Sequence, residues 1–238
     1  MGASGGPNIP KDKLSLAVHA VAGKSFPGSG DDWFDLAEHK ITFSANGTQT
    51  PFTTVDGVDC FDFNQSGYWQ SDSGHTNVDF GGDCTLALWY YPENTTTRRT
   101  IFEKIGASGN TSYQTEIAVT LETSENFSWY SRKTPNYDHA STAGMTQGQW
   151  ELMSIKMSTG KTSAARTGFY SLNGDPYVAN YNSRSDTAVQ TAGAIRIGHG
   201  YAGTVGEGYL AAVYCYNKML SDEEIKQLWN ATKNKYGR

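Results

Sequence analysis

Two glutamates in one predicted strand are the first residues whose types and spacing suggest a reaction. Glu116 and Glu122 alternate with Ala118 and Thr120 on one face of segment 116–122. Paired carboxyl groups cleave glycosidic bonds when they lie about 5–5.5 Å apart, or about 6.5–9.5 Å apart in inverting enzymes. Six residues of strand separate this pair by roughly 20 Å, which is too far for either mechanism. A carboxylate pair drawn from two different strands stays an open alternative, and with it a glycoside hydrolase.

Other catalytic patterns are missing from the sequence. No strand–helix junction carries a G-x-S-x-G nucleophile elbow, and neither H-E-x-x-H nor C-x-x-C occurs. The glycine-rich segments 104–109 and 198–203 neither end in Gly-Lys-Ser/Thr nor open a helix, which favours hairpin turns over phosphate-binding loops. We therefore predict that the protein is not an enzyme.

Aromatic and amide side chains instead suggest that the protein binds sugars. A pyranose presents a C–H face that stacks on Trp or Tyr, while Asn and Asp bind its hydroxyl groups. Segment 129–139 combines these residue types and is expected to form a long polar loop after a strand. The predicted ligand-binding residues are Trp129, Tyr130, Asn136, Tyr137 and Asp138, with Tyr201 in the 198–208 loop.

The composition limits both the fold and the partners. The chain has 238 residues, 18% of them charged and 37% hydrophobic, so it can bury one substantial core. Its net charge of -5 and the scatter of its Lys and Arg argue against nucleic-acid binding, and no apolar run is long enough for a membrane span. Residues 1–12 lack the apolar stretch of a signal peptide and are expected to form a flexible arm before a single domain, residues 13–238.

Apolar alternation along the chain predicts an all-β fold. Segment 84–91 is apolar on both sides, as expected of a central strand, and segment 116–122 alternates. Further strands are predicted at 14–21, 59–63, 99–105, 126–131, 150–158, 165–172, 194–198 and 208–216. Many short strands separated by turns containing Gly and Asn are typical of an antiparallel two-sheet jelly-roll sandwich.

One helix is predicted near the C-terminus. Ser221 and Glu224 have the spacing of a capping box, in which each side chain binds the other residue's amide. An apolar stripe then follows at helical spacing, and Gly237 is expected to end the helix. The stripe consists of Ile225, Leu228, Trp229 and Thr232. We expect this helix to close one open edge of the sandwich.

Three segments resemble a known family. Segment 208–237 resembles the last strand and closing helix of laminin-G-like jelly rolls, which belong to the concanavalin A-like lectin/glucanase superfamily. Segments 24–36 and 55–63 resemble the opening and an early strand of a subgroup common in structural proteins of tailed bacteriophages. This subgroup usually has Asp-Ala where this chain has His19 and Ala20.

The resemblance also suggests calcium, which related domains often bind at one rim. Calcium requires six to eight oxygen ligands. Asp59 and Asp62 fall on opposite faces of a predicted strand, so these two carboxylates cannot converge. The candidate loop ligands are Asp72, Asp79, Asp83 and Asp138, although turn acids commonly bind their own backbone instead. No other cofactor is expected.

The resemblance implies a non-catalytic component of a tailed-phage virion surface, either a capsid decoration protein or a fibre module. Such a protein would be made in the host cytoplasm. It would contact other virion proteins through its N-terminal arm or an exposed aromatic patch, and it could also bind host-surface glycans. The alternative is a free carbohydrate-binding lectin module.

Overall fold

A computed structural model describes most of the chain. It covers residues 8–21, 23–47, 51–63, 67–72, 74–93, 98–105, 114–122, 126–133, 136–158, 168–180, 193–199 and 207–238, without the side chains of 114, 115, 130–133, 136–143 and 180. The strands within these residues are β1 (Leu14–His19), β2 (Asp32–Phe34), β3 (Thr42–Asn46), β4 (Phe52–Val55), β5 (Val58–Asp62), β6 (Tyr68–Ser71), β7 (Cys84–Tyr91), β8 (Arg99–Ile105), β9 (Gln114–Leu121), β10 (Asn126–Lys133), β11 (Asn136–Gly144), β12 (Glu151–Met157), β13 (Gly168–Leu172), β14 (Val178–Asn180), β15 (Ile195–Ile197) and β16 (Tyr209–Tyr216). Helix α1 (Asp222–Thr232) and a 3₁₀ helix (Lys233–Tyr236) follow.

The strands form two antiparallel sheets. In the first sheet the order is β14-β13-β12-β7-β16-β5-β4, and β1 also pairs with β16. In the second sheet the order is β11-β10-β9-β8-β15-β6-β3-β2. The inner faces of the two sheets share one apolar core. This architecture confirms the predicted jelly-roll sandwich.

Strand β7 lies at the centre of the first sheet because both of its faces are apolar. Leu86 and Leu88 point into the core between the sheets. Ala87 and Trp89 point to the opposite face, where they join a second apolar cluster. A strand at the surface of a sheet has one apolar face and one polar face in contact with water. The continuous apolar run from 84 to 91 therefore predicts a strand that is covered on both faces.

Helix α1 covers the outer face of the first sheet. Ile225 and Leu228 are fully buried in the second cluster, and Trp229 stacks on Trp89 with ring centroids 5.3 Å apart. The predicted capping box is present, but the prediction that the helix closes a sheet edge is wrong. The apolar stripe packs against outward-facing side chains of β7 and β16, which a helix at an edge could not cover. No helix among the described residues has the length and apolar character needed to span a membrane.

The opening motif of segment 24–36 ties β2 to β1. The indole Nε1 of Trp33 donates a hydrogen bond to the His19 carbonyl at 2.9 Å. The carboxylate of Asp35 accepts hydrogen bonds from the amides of Ala17 and Ala37, each at 2.8 Å. In this chain the motif therefore builds the sandwich, because its Trp and Asp side chains are buried and engaged.

Part of the predicted N-terminal arm packs against the domain. The carbonyl of Asn8 accepts a hydrogen bond from Gln227 of α1 at 2.6 Å, and Asp12 pairs with Lys218 at 2.9 Å. Ile9 packs against the second apolar cluster, and Pro10 is buried. The flexible arm predicted for residues 1–12 therefore does not include residues 8–12, whereas residues 1–7 lie outside the described part.

Candidate functional site

A cleft opens at one end of the first sheet, where the chain leaves β7 and enters β12 and β16. Antiparallel pairing brings these three strand ends together, because Tyr90 pairs with Glu151 and Tyr91 pairs with Tyr209. The cleft has a volume of about 450 Å³. Its lining residues are Tyr91, Pro92, Glu93, Gln147, Gly148 and Glu207. We call it the Tyr91 cleft.

The turn between β11 and β12 lines the Tyr91 cleft through Gln147 and Gly148. The amide of Gly148 donates a hydrogen bond to the Pro92 carbonyl at 3.0 Å, which joins this turn to the end of β7. Gly148 has a φ of 74°, in the left-handed region that favours glycine. The cleft is therefore held by backbone contacts as well as by its side chains.

Aromatic rings fix the position of Tyr91. Its ring meets those of Trp150 and Tyr209 edge-to-face, with centroid separations of 5.5 and 5.8 Å. Trp150 is itself anchored, since its Nε1 donates a hydrogen bond to the Val55 carbonyl at 3.2 Å. Tyr91 and Tyr209 are both half-buried, and Tyr91 presents its exposed surface to the cleft.

Two carboxylates line the cleft with Tyr91, and each has a partner. Glu207 Oε2 accepts a hydrogen bond from Arg99 Nε at 2.8 Å. Tyr209 is hydrogen-bonded to Glu93, and burial together with the charge of Glu93 raises the pKa of the Tyr209 hydroxyl to about 12. Burial and the charges of Asp56 and Glu93 also raise the pKa of Tyr91. Both tyrosines are therefore neutral hydroxyl groups at physiological pH.

The Tyr91 cleft has the chemistry needed to bind a polyol. Tyrosine rings offer apolar surface to sugar C–H groups, and their hydroxyl groups take part in hydrogen bonds. The carboxylates of Glu93 and Glu207 accept hydrogen bonds, while the amide of Gln147 both donates and accepts them. Few precisely placed polar groups beside apolar surface are typical of small-molecule sites.

Most of the predicted binding loop at 129–139 is β-strand instead. Residues 129–133 of β10 pair with residues 136–140 of β11, and Tyr130 lies opposite His139. Trp129 is 2% exposed and belongs to the core, so its ring is not presented to a ligand and its predicted role in binding is wrong. Tyr201 and the side chains of Tyr130, Asn136, Tyr137 and Asp138 lie outside the described residues, and their predicted roles stay predictions.

The first carboxylate pair identified in the sequence is structural. Glu116 is buried and forms an ion pair with Lys104, with Nζ and Oε2 2.8 Å apart. Its other oxygen accepts hydrogen bonds from the amides of Phe80 and Gly81 at 2.6 and 2.9 Å. Glu122 accepts a hydrogen bond from Thr120 and pairs with Arg98, and neither glutamate is among the residues that line the Tyr91 cleft.

Two of the loop acids considered for calcium have local partners. Asp72 contacts His75 at 2.7 Å, and Asp79 accepts a hydrogen bond from the amide of Gly81 at 2.7 Å. Within the described ranges, no three acidic, His or Cys side chains converge in a group that could hold a metal ion.

The residues of the Tyr91 cleft were not identified from the sequence. The one sequence feature that points to them is their position, because Tyr91, Glu93 and Glu207 lie at or just beyond the ends of correctly predicted strands. Only the strand order, with β7 between β12 and β16, shows that those ends meet.

Comparisons with known proteins agree with this architecture. The binding domain of botulinum neurotoxin serotype C1 superposes with a TM-score of 0.67 at 8% identity, over 92% of this chain and 52% of that one. The binding domain of botulinum neurotoxin DC in complex with SialylT gives 0.67 at 10% identity, over 93% and 52%. Trypanosoma rangeli sialidase gives 0.63 at 14% identity, over 95% and 34%.

At these identities the similarity establishes the fold alone. The chain spans about half the length of the toxin binding domains and about a third of the sialidase. No curated protein sequence matches the chain. A laminin-G-like family model, described as the concanavalin A-like lectin/glucanases superfamily, matches residues 63–226. That match covers more than half of the chain, which therefore belongs to the concanavalin A-like lectin/glucanases superfamily.

Proposed function

We propose that this chain is a non-catalytic carbohydrate-binding module and that the Tyr91 cleft is its binding site. The observation that carries the proposal is the half-buried Tyr91, which lines the cleft together with Glu93 and Glu207 and packs edge-to-face against Tyr209. One structural neighbour, a toxin binding domain in complex with SialylT, supports glycan binding as a use of this fold, without bearing on which class of sugar this cleft takes.

The carboxylates of the cleft favour binding over hydrolysis. Glycosidic cleavage by a carboxyl pair requires one group to be protonated so that it can act as the acid. Each carboxyl group of the cleft is instead engaged by a hydrogen-bond donor, Glu207 by the guanidinium of Arg99 at 2.8 Å and Glu93 by the hydroxyl of Tyr209. Both groups are therefore suited to accept hydrogen bonds from sugar hydroxyls.

A glycan array with a matched pair of variants tests this proposal. Tyr91→Ala is expected to weaken binding of any glycan recognised by the wild type by about tenfold or more, equivalent to about 1.4 kcal/mol. Tyr68→Ala removes a tyrosine of the second sheet, stacked on His199 at 4.4 Å, and should leave binding unchanged. Correctly folded wild-type protein that binds no glycan would remove the proposal.

The biological setting that we propose is the surface of a tailed-phage virion, as a capsid decoration protein or fibre module made in the host cytoplasm. The support is the resemblance of segments 24–36 and 55–63, in the right order, to that subgroup. Because residues 8–12 are packed beside α1, an arm formed by residues 1–7 would start from that face and could reach a neighbouring virion protein.

Purified virions provide the test of this setting. Mass spectrometry should detect the chain in the particles, and cryo-electron microscopy should locate the sandwich on their surface. Deletion of residues 1–7 should reduce its incorporation without reducing its thermal stability. Absence from particles, combined with glycan binding by the free protein, would favour the alternative of a free lectin module.

A further inference from the structure

We infer that the Tyr91 cleft selects sugars by charge, binding neutral and amine-bearing glycans and rejecting glycans that carry carboxylates. This inference rests on the proposed function and specifies its ligand class. It follows from the distribution of charged groups around the two tyrosines.

Negative groups surround the aromatic pair. Glu93 and Glu207 line the cleft itself. Asp56 acts electrostatically on Tyr91, and Asp62 acts on Tyr209, so both rings lie in a negative field. Asp56 has a φ of 52° and lies in the turn between β4 and β5, next to Val55, whose carbonyl accepts the hydrogen bond from Trp150.

The positive charge of Arg99 is already paired with Glu207. Its Nε lies 2.8 Å from Glu207 Oε2, and the two side chains are 29% and 22% exposed. A carboxylate on a ligand would have to compete with Glu207 for this guanidinium. It would also approach Glu93, and like charges that are close together in a partly desolvated cleft repel each other.

A hydroxyl or ammonium group on the ligand is attracted by the same carboxylates. Sugar hydroxyls can donate hydrogen bonds to Glu93 and Glu207, and a protonated amine adds charge to such a bond, which strengthens it. The expected order of affinity is therefore amine-bearing first, neutral second and acidic last. Because the groups are partly exposed to solvent, added salt should reduce the differences.

Three hexasaccharides that differ in charge test this order. Isothermal titration calorimetry would compare hexamers of glucosamine, N-acetylglucosamine and galacturonic acid, at a pH where the amine is protonated. At low salt we expect the glucosamine hexamer to bind at least about tenfold more tightly than the galacturonic acid hexamer, with a smaller ratio at about 0.5 M salt. Tyr91→Ala should weaken binding of the glucosamine and N-acetylglucosamine hexamers.

Matched variants separate selection in the cleft from general attraction to an acidic protein. Glu93→Gln should reduce the preference for the glucosamine hexamer severalfold, whereas Glu38→Gln removes the same charge at an exposed position outside the cleft lining and should not. Equal effects of these two variants, or tight binding of the acidic hexamer, would overturn the inference while leaving a sugar site. Failure of the wild type to bind any hexamer or arrayed glycan would instead overturn the proposed function.

Discussion

The ammonium of Lys104 and the carboxylate of Glu116 lie 2.8 Å apart, and both side chains are completely inaccessible to solvent. The pair joins β8 to β9 at one end of the sandwich. Glu116 also holds the amides of Phe80 and Gly81, which fastens the segment leading into β7 over that end. An ion pair removed from water gains little net stability by its presence, but loss of one partner leaves an uncompensated buried charge.

We therefore expect Lys104→Met to lower the free energy of unfolding by about 3–5 kcal/mol, measured by urea denaturation. The double variant Lys104→Met/Glu116→Gln should recover much of this loss, because the amide oxygen still accepts the two backbone hydrogen bonds without a charge. Arg98→Met breaks an exposed pair with Glu122 and should cost less than about 1 kcal/mol. A double variant that is less stable than Lys104→Met would contradict this account.

Gly168 in β13 packs directly against Trp129 across the core. A Cβ atom at Gly168 would overlap the indole ring, with Cε2 only 2.8 Å away. Since Trp129 is 2% exposed, the ring has no space to move into. Gly168→Ala should therefore destabilise the protein by about 1–3 kcal/mol through overpacking.

A control variant for this steric effect exists at Gly57. Its added Cβ would meet no atom within 4 Å, although its φ of 77° still disfavours alanine. If the overlap with the indole is the cause, Gly168→Ala should cost less stability in the Trp129→Phe background than in the wild type. Equal losses from Gly168→Ala in both backgrounds would show that the contact does not matter.

His19 should make the fold sensitive to acid. Burial, together with the positive charges of Lys235 and Lys24, lowers the pKa of His19 to about 3 from an ordinary value near 6.5. Its Nε2 atom is enclosed, and its ring meets Tyr214 edge-to-face with a centroid separation of 5.3 Å. The unfolded chain therefore binds a proton between pH 6.5 and 3 that the folded chain does not.

Stability that is fully present above about pH 6.5 should consequently fall as the pH is lowered, by up to about 1.4 kcal/mol per pH unit until about pH 3. In His19→Asn this contribution should disappear, so that its pH dependence between 6 and 4 is flatter than that of the wild type. Replacement of the exposed His39 by Gln should leave the wild-type slope. An unchanged slope in His19→Asn would refute the assignment.

The features that were predicted correctly depend on local sequence. The apolar run of β7 and the Ser221–Glu224 capping box are complete within a few residues, so short-range patterns specify them. Strand β11 was missed because it is an edge strand rich in polar residues, which reads as a loop without its partner β10. The Tyr91 cleft joins residues near 92, 148 and 207, and only the strand order brings them together.

The capping box of α1 allows a test of how much a short sequence pattern contributes to stability. The amide of Glu224 donates to Ser221 Oγ at 3.2 Å, and the amide of Ser221 donates to Glu224 Oε2 at 3.0 Å. Ser221→Ala should cost about 1 kcal/mol and lower the melting temperature by about 2–4 °C. Ser221→Asp keeps an acceptor at this position and should retain most of the stability, and equal losses in both variants would contradict the role of the cap.

From the contacts of Glu93 and Glu207 we predict that the Tyr91 cleft binds glycans without cleaving their glycosidic bonds. We expect no release of reducing ends when the wild type is incubated with a panel of β-glucans, because both carboxyl groups are engaged by hydrogen-bond donors, Glu93 by Tyr209 and Glu207 by Arg99. Glu207→Gln should weaken the binding of neutral glycans, since it removes a charged acceptor, and it should also free Arg99 to attract acidic glycans. A release of reducing ends that is abolished by both Glu93→Gln and Glu207→Gln would identify a hydrolase and contradict the proposed function.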